Sequence, residues 1–174
     1  MTTMVQFEKN LKEGQKVEEA VRDHIEKMLP DCKVFISKQD DDLERMIYSL
    51  VDVVVMKDSQ VVLGIECKLS RKKYRYCLRH NGWDGDWNTP LNNTSLRKYR
   101  EARFPFYVVN INEFCHKAYA ADIPTILGSR FGKEIRKKSG VLIENIDSHT
   151  WMVYEGKFSL TDILTDILKK EKLC

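Results

Sequence analysis

The chain has 174 residues and a net charge of +3, with 43% hydrophobic and 32% charged side chains. This is the composition of a globular protein with a core of its own, and no apolar run reaches the roughly 18 residues of a membrane helix. The N-terminal residues lack a secretory-signal pattern, and the five cysteines form no Cys-x-x-Cys pair. We therefore expect a single domain over residues 1–174, no membrane partner, no structural zinc and a reducing, cytoplasmic environment.

The first predicted element is a helix over residues 14–29. Apolar side chains recur there at helical spacing and form one stripe. Glu18 falls at the edge of that stripe, so it can reach a site beside the core, whereas Glu19 points to solvent. Glu18 is therefore a candidate for a site that the core supports.

A short strand is predicted next, over residues 34–36, and a β-hairpin follows it. The hairpin is formed by the two apolar runs 48–56 and 61–69, and a turn-like Lys-Asp-Ser-Gln segment separates them. Both runs are almost continuously hydrophobic, which is typical of central strands covered on both faces.

The second half of the chain alternates between loops, helices and strands. The predicted order is a loop over 81–93, a helix over 94–103, a strand over 106–111, a helix over 131–138, a strand over 151–154 and a last helix that a capping-box pattern starts at Ser159. Together these elements predict an α/β fold in which helices flank a central mixed β-sheet.

The hairpin carries the residues that indicate chemistry. Asp52 lies early in its first strand, and Glu66 and Lys68 lie near the end of its second strand, so the pairing brings all three together. Carboxylates inside apolar strands need a partner, because burying an unpaired charge is costly. Two carboxylates beside a lysine suit a hard divalent cation such as Mg²⁺. The alternative is a structural salt bridge between Lys68 and one of the acids.

Asp52 followed by Glu66-Cys67-Lys68 resembles the motif of the PD-(D/E)XK nuclease superfamily, which includes restriction endonucleases and Holliday-junction resolvases. The helix-borne Glu18 and the Ser-Leu-Arg-Lys-Tyr-Arg segment at 95–100 are similar to features that accompany this motif. The resemblance implies a restriction-endonuclease-like common core over about 14–111, with helical and strand additions over 112–174.

By this resemblance Asp52, Glu66 and Glu18 hold Mg²⁺ or Mn²⁺ together with the backbone carbonyl of Cys67, and Lys68 is the catalytic lysine. The implied activity is hydrolysis of phosphodiester bonds in nucleic acid by a metal-activated water. DNA is the favoured substrate, endonucleolytic cleavage the favoured mode and a homodimer a candidate assembly. The alternative function is a catalytically silent nucleic-acid-binding or assembly module that keeps the nuclease fold.

A basic run directly after the motif predicts a contact surface for nucleic acid. Residues 61–110 carry 10 basic and 4 acidic side chains, so the middle of the chain is the most positive. Cations grip phosphates and an aromatic ring can stack on a base, although a solvated helix face explains the same run. The candidate nucleic-acid-binding residues are Arg71, Lys72, Lys73, Tyr74, Arg75 and Arg79.

Overall fold

The computed structural model describes residues 4–37, 51–70, 88–113, 116–136, 142–147 and 151–174. Within them, the helices are α1 (Met4–Met28), α2 (Asn93–Glu101), α3 (Ile123–Gly128) and α4 (Leu160–Lys170). The strands are β1 (Lys33–Ile36), β2 (Val53–Lys57), β3 (Gln60–Ser70), β4 (Asn88–Asn92), β5 (Phe106–Asn112), β6 (Lys117–Asp122), β7 (Arg130–Arg136), β8 (Leu142–Asp147) and β9 (Met152–Glu155).

A six-stranded sheet forms the centre of the fold, in the order β1-β2-β3-β5-β6-β9. The β3–β5 pair is parallel and every other pair in this sheet is antiparallel, so the sheet is mixed. A second sheet has three strands in the order β4-β8-β7. The predicted α/β class, with a central mixed sheet flanked by helices, is confirmed.

One face of the central sheet packs against α1 and α4. Val21 and Ile25 of α1 and Ile163 and Leu164 of α4 are fully buried in the same cluster as inward side chains of five strands. A capping box in which Ser159 accepts from the Asp162 backbone starts α4, as its sequence predicts. The C-terminal segment therefore contributes to the core that covers this face.

The other face of the sheet packs against α2 and α3. Leu96 and Tyr99 of α2 and Ile126 of α3 are buried here against side chains of β2, β5 and β6. This second cluster sets the position of α2 relative to the end of β3, where the motif residues lie. The two clusters together explain why the central strands are apolar on both sides.

The β2–β3 hairpin is confirmed, with bounds that differ from the prediction at its start. β2 begins at Val53, and the connecting Asp58 and Ser59 both adopt left-handed backbone conformations, with φ of 50° and 64°. Short polar side chains tolerate that region better than bulky ones, which suits a tight connection. Helix α1 begins ten residues before the predicted position 14, at Met4.

The predicted helix over 131–138 is wrong, because Arg130–Arg136 form strand β7. This strand pairs antiparallel with β8, with Ile135 opposite Ile143. Its partner β8 was not predicted, so the helix prediction rested on local propensity alone and did not include the strand pairing that determines the conformation here. The predicted loop over 81–93 contains β4, and β6 and α3 were not predicted either.

Among the described residues, no helix combines the length and the hydropathy needed to cross a bilayer.

Candidate active site

Asp52 lies in a bend directly before β2, and not inside the strand as predicted. Its N–H donates to the carbonyl of Ile65 at 3.1 Å, and its own carbonyl accepts from the N–H of Ser37 at 2.9 Å. Both neighbouring strands thus hold its backbone, and its side chain is only 7% exposed. The bend turns the carboxylate toward β3 while Val51 and Val53 pack on opposite faces of the sheet.

The Asp52 carboxylate is anchored to the motif segment of β3. Its Oδ2 accepts a hydrogen bond of 2.9 Å from the backbone N–H of Cys67. Since Cys67 directly follows Glu66, this bond places the aspartate beside the glutamate. The predicted meeting of Asp52 with the Glu66-Cys67-Lys68 segment is therefore present in the structure.

Glu66 and Lys68 project from the same face of β3, as residues two apart in a strand do. The Lys68 ammonium forms an ion pair with Oε1 of Glu66. The glutamate side chain is 11% exposed and the lysine side chain 38% exposed. The lysine thus links a nearly buried carboxylate to solvent and has room to reach other groups.

Glu18 of α1 joins the same neighbourhood from the opposite side of the sheet, and it is 7% exposed. The charged groups of this neighbourhood act on the pKa of the Cys67 thiol. Burial raises the pKa of Cys67 well above its usual value, the negative charges of Asp52, Glu66 and Glu18 raise it further, and Lys68 opposes them. All four predicted site residues therefore lie close enough to one thiol to act on its ionisation.

The Cys67 side chain itself packs against the α1 face of the sheet. It points away from Glu66 and Lys68, and its raised pKa keeps the thiol protonated at neutral pH. A nucleophilic role for this cysteine does not fit such surroundings. Its contribution to the site is its backbone, since its N–H holds Asp52.

The charges of this site suit a divalent cation. Three carboxylates and one ammonium group leave an excess of two negative charges in largely buried surroundings. Within the described residues, no group of three or more His, Cys, Asp and Glu side chains is spaced to hold a metal ion. Mg²⁺ commonly binds through one or two carboxylates and keeps several waters, so Asp52 and Glu66 alone are a fitting donor pair.

Tyr99 is a neighbour of the site that the sequence prediction did not include. It lies on the inner side of α2, is 2% exposed and packs edge-on against Phe106 with ring centroids 4.8 Å apart. Burial raises the pKa of Tyr99, and the charges of Glu66 and Asp52 raise it further. Its buried hydroxyl is close enough to Glu66 and Ser95 to interact with both, so it stands beside the carboxylates as a hydrogen-bond donor.

Two buried asparagines extend the polar end of the sheet. Asn110 and Asn112 of β5 are 1% and 2% exposed, and the parallel register places Asn110 beside Lys68. Neighbouring residues in register share a face, so Asn110 lies on the Lys68 side. The signal for them in the sequence is amides at alternate positions of an otherwise apolar strand.

The predicted nucleic-acid-binding run Arg71, Lys72, Lys73, Tyr74, Arg75 and Arg79 lies outside the described residues.

No protein-family model matches the chain, and no curated protein sequence matches it. Among solved structures, the chain is similar to D212, described as a nuclease from a fusselovirus. The two share 12% sequence identity over 98% of this chain and 97% of that one, with a TM-score of 0.48. A likeness of this size establishes neither fold nor activity, so the function is argued from the residues of the site.

Proposed function

We propose that this chain is a metal-dependent nuclease that hydrolyses phosphodiester bonds in nucleic acid. The observation that carries the proposal is the nearly buried pair Asp52 and Glu66, joined through the Cys67 N–H and accompanied by Lys68. Burying two carboxylates side by side is costly for a fold that has no use for them. A cation that binds a phosphodiester substrate gives the pair a function.

Mg²⁺ or Mn²⁺ is the cation that these donors fit. Asp52 and Glu66 would hold it, with the backbone carbonyl of Cys67 as a further ligand. Glu18 would act on the ion through a bound water, because it is not spaced with the other two to bind the same ion directly. The bound metal would supply positive charge for the phosphate and lower the pKa of a water.

Lys68 is the proposed catalytic lysine. Its ammonium group is positioned by Glu66 and is partly exposed, so it can turn toward a phosphate that enters the site. There it would orient the attacking water and offset the negative charge that develops on the phosphate oxygens.

DNA is the proposed substrate, endonucleolytic cleavage the proposed mode and a homodimer the proposed assembly. The substrate and the cleavage mode rest on the motif resemblance. The homodimer rests on the need for two active sites to cut both strands of a duplex. A cytoplasmic location is proposed from the five cysteines, whose odd number and spacing do not suggest a disulfide framework.

The competing function is a nucleic-acid-binding or assembly module without turnover. The Lys68–Glu66 ion pair favours it, since this pair by itself satisfies the lysine and one carboxylate. A buried ion pair of this kind can persist for structural reasons. The two functions differ in whether the carboxylates bind a divalent cation and whether a phosphodiester bond is broken.

The experiment compares supercoiled plasmid, linear duplex, single-stranded DNA and RNA as substrates with Mg²⁺, Mn²⁺ or EDTA. Calorimetry on the same samples measures Mn²⁺ binding. Glu66→Ala is the test variant, and Glu155→Ala is its matched control, because it removes the acid of another ion pair, with Lys117.

Metal-dependent cleavage that Glu66→Ala abolishes and Glu155→Ala retains supports the nuclease. Mn²⁺ binding lost in Glu66→Ala, with no substrate cleaved by wild type, favours the silent module. The absence of both binding and cleavage in a folded wild-type protein rejects the metal site and leaves a structural salt bridge.

A further inference from the structure

Helix α2 differs from the other long helices in its charge. Together with Arg103, which follows it, α2 carries four basic side chains and one acidic one, Glu101. By contrast, α1 has 6 acidic and 5 basic residues in its sequence, and α4 has 2 of each. The cations of α2 thus account for a local excess of +3, equal to that of the whole chain.

These cations are available at the surface. Leu96 and Tyr99 fix the inner side of α2 in the core, so the basic residues stand outside. Arg97, Lys98, Arg100 and Arg103 are all exposed. No ion pair within the part of the chain that the structure describes engages Arg97, Lys98 or Arg103.

The same helix borders the candidate active site. Tyr99 packs on Phe106, which lies opposite Gly64, two residues before Glu66 on the same face of β3. The inner side of α2 therefore covers the face that carries Glu66, while its outer side carries the cations. A helix with its side chains is about 10–12 Å across. The cations therefore lie about one helix diameter from the side of α2 that faces the site.

We propose that the exposed cations of α2 and of the residues directly after it, namely Arg97, Lys98, Arg100 and Arg103, form a docking surface for the sugar-phosphate backbone of the nucleic acid cleaved at Glu66 and Lys68. This inference rests on the proposed function and names how its substrate is held. Arginine suits the role because its planar guanidinium group binds phosphate oxygens in pairs.

A neighbouring groove of about 570 Å³ between α2 and α3 does not extend this surface. Arg100 and Arg103 line one side of it, but Asp122 and Glu171 line the other. Those carboxylates would repel a phosphate. The docking surface therefore follows the outer side of α2 and not the groove.

The test measures binding without cleavage. A short fluorescein-labelled DNA duplex and a single strand of the same length are titrated with protein in EDTA, with anisotropy recorded at salt concentrations from about 50 to 200 mM. The test variant is Arg97→Gln/Lys98→Gln/Arg103→Gln. The matched control is Lys27→Gln/Lys169→Gln/Lys172→Gln, which removes three exposed charges from α1, α4 and the turn after α4, on the opposite face of the sheet.

Each phosphate contact contributes about 0.9 to the slope of log affinity against log salt, or about 8-fold in affinity near 0.1 M salt. We expect the α2 variant, which removes three contacts, to bind about 500-fold more weakly near 0.1 M salt, with a slope lower by about 2.7. The control variant should bind within about 3-fold of wild type.

The proposal would be overturned if the α2 variant and wild type had the same DNA affinity and the same salt slope. It would also be overturned if the control variant lost as much affinity as the α2 variant, because the effect would then depend only on net charge. If the triple variant melts early, Arg97→Gln and Arg103→Gln are measured singly, with about 8-fold loss expected for each. Failure of the proposed function is distinguishable, because it appears as absent cleavage with the α2 dependence of binding intact.

Discussion

At the scale of single residues, the candidate site combines groups that the sequence motif names with one that it does not. The meeting of Asp52 with Glu66 and Lys68 was predictable, because charged residues interrupt apolar runs at positions that a hairpin brings together. Their roles in catalysis stay predictions. Tyr99 was not predictable as a site residue, because its contribution depends on how α2 packs over β5. Packing of that kind is a tertiary property that no local pattern encodes.

Tyr99→Phe tests the contribution of the buried hydroxyl. The change retains the ring that packs on Phe106 and removes only the donor beside Glu66. Groups that orient metal-binding side chains typically contribute 10- to 100-fold, so we expect Mn²⁺ affinity and kcat to fall by about 10-fold or more with little change in thermal stability.

Tyr107→Phe is the matched control for that variant. Its hydroxyl donates to Glu171 at 2.5 Å, on the face of the sheet that α1 and α4 cover. We expect this variant to lose stability and keep its Mn²⁺ affinity. Equal Mn²⁺ affinity in Tyr99→Phe and wild type would show that the hydroxyl does not position Glu66.

Cys67→Ala separates the backbone of the motif from its middle side chain. The N–H that holds Asp52 remains in this variant, and the lost thiol packs on the α1 side. We therefore expect cleavage within about 3-fold of wild type and a small loss of stability, about 1 kcal/mol. A loss of cleavage comparable to that of Glu66→Ala would place the thiol in the chemistry and contradict the assigned geometry.

At the scale of elements, the helices and strands that could be predicted are those with a regular hydrophobic pattern or a capping signal in the sequence. The stripe of α1, the two apolar runs of the hairpin and the capping box of α4 are local signals, and each marks an element that the structure contains. Strand β7 has no such signal, and its conformation comes from pairing with β8. Long-range pairing therefore explains the error at 131–138 and the missed strands β6 and β8.

Two glycines test the local packing of these elements in opposite directions. A Cβ at Gly64 would lie 2.7 Å from the ring of Phe104 and 3.1 Å from Val51, so Gly64→Ala should destabilise the protein by about 1–3 kcal/mol. A Cβ at Gly14 in α1 meets no atom within 4 Å, so Gly14→Ala should stabilise it by about 0.5–1 kcal/mol. Urea unfolding measures both, and a destabilised Gly14→Ala would contradict the open surroundings of α1.

Asp122 gives helix α3 a pH-dependent start. Burial acts to raise its pKa, but hydrogen bonds from Thr125 and Lys170 prevail and lower it below 3.8. The ionised carboxylate of Asp122 therefore contributes fully to the free energy of unfolding above pH 3.8, the usual pKa of an aspartate. This contribution is lost as the pH falls through the lower pKa of the folded state.

Asp122→Ala should accordingly cost about 1 kcal/mol at neutral pH, the usual value of a helix N-cap, with less difference from wild type at about pH 3. Urea unfolding at both values measures the change. A difference that is the same at both would show that the charge of Asp122 contributes nothing.

At the scale of the whole molecule, the C-terminal elements are joined to the sheet that carries the site. Strand β6 pairs with β5, β9 pairs with β6, and α4 buries four side chains in the cluster that α1 also enters. We expect truncation before Ser159 to unfold the protein, because it removes about 6–12 kcal/mol of apolar burial. A truncated chain with a cooperative melt would show that the residues before α4 fold without it.

The measurement that tests the central claim most directly is the rate of plasmid cleavage in Mg²⁺ by Lys68→Ala relative to Lys170→Ala. Both variants remove a partly exposed lysine from an ion pair with a less exposed acid, Glu66 in one and Asp122 in the other. Of the two lysines, only Lys68 lies beside the proposed metal-binding carboxylates of Asp52 and Glu66. We therefore predict a loss of about 10²–10⁴-fold in rate for Lys68→Ala and a rate near wild type for Lys170→Ala. Cleavage by Lys68→Ala at the rate of Lys170→Ala would contradict the assignment of the active site.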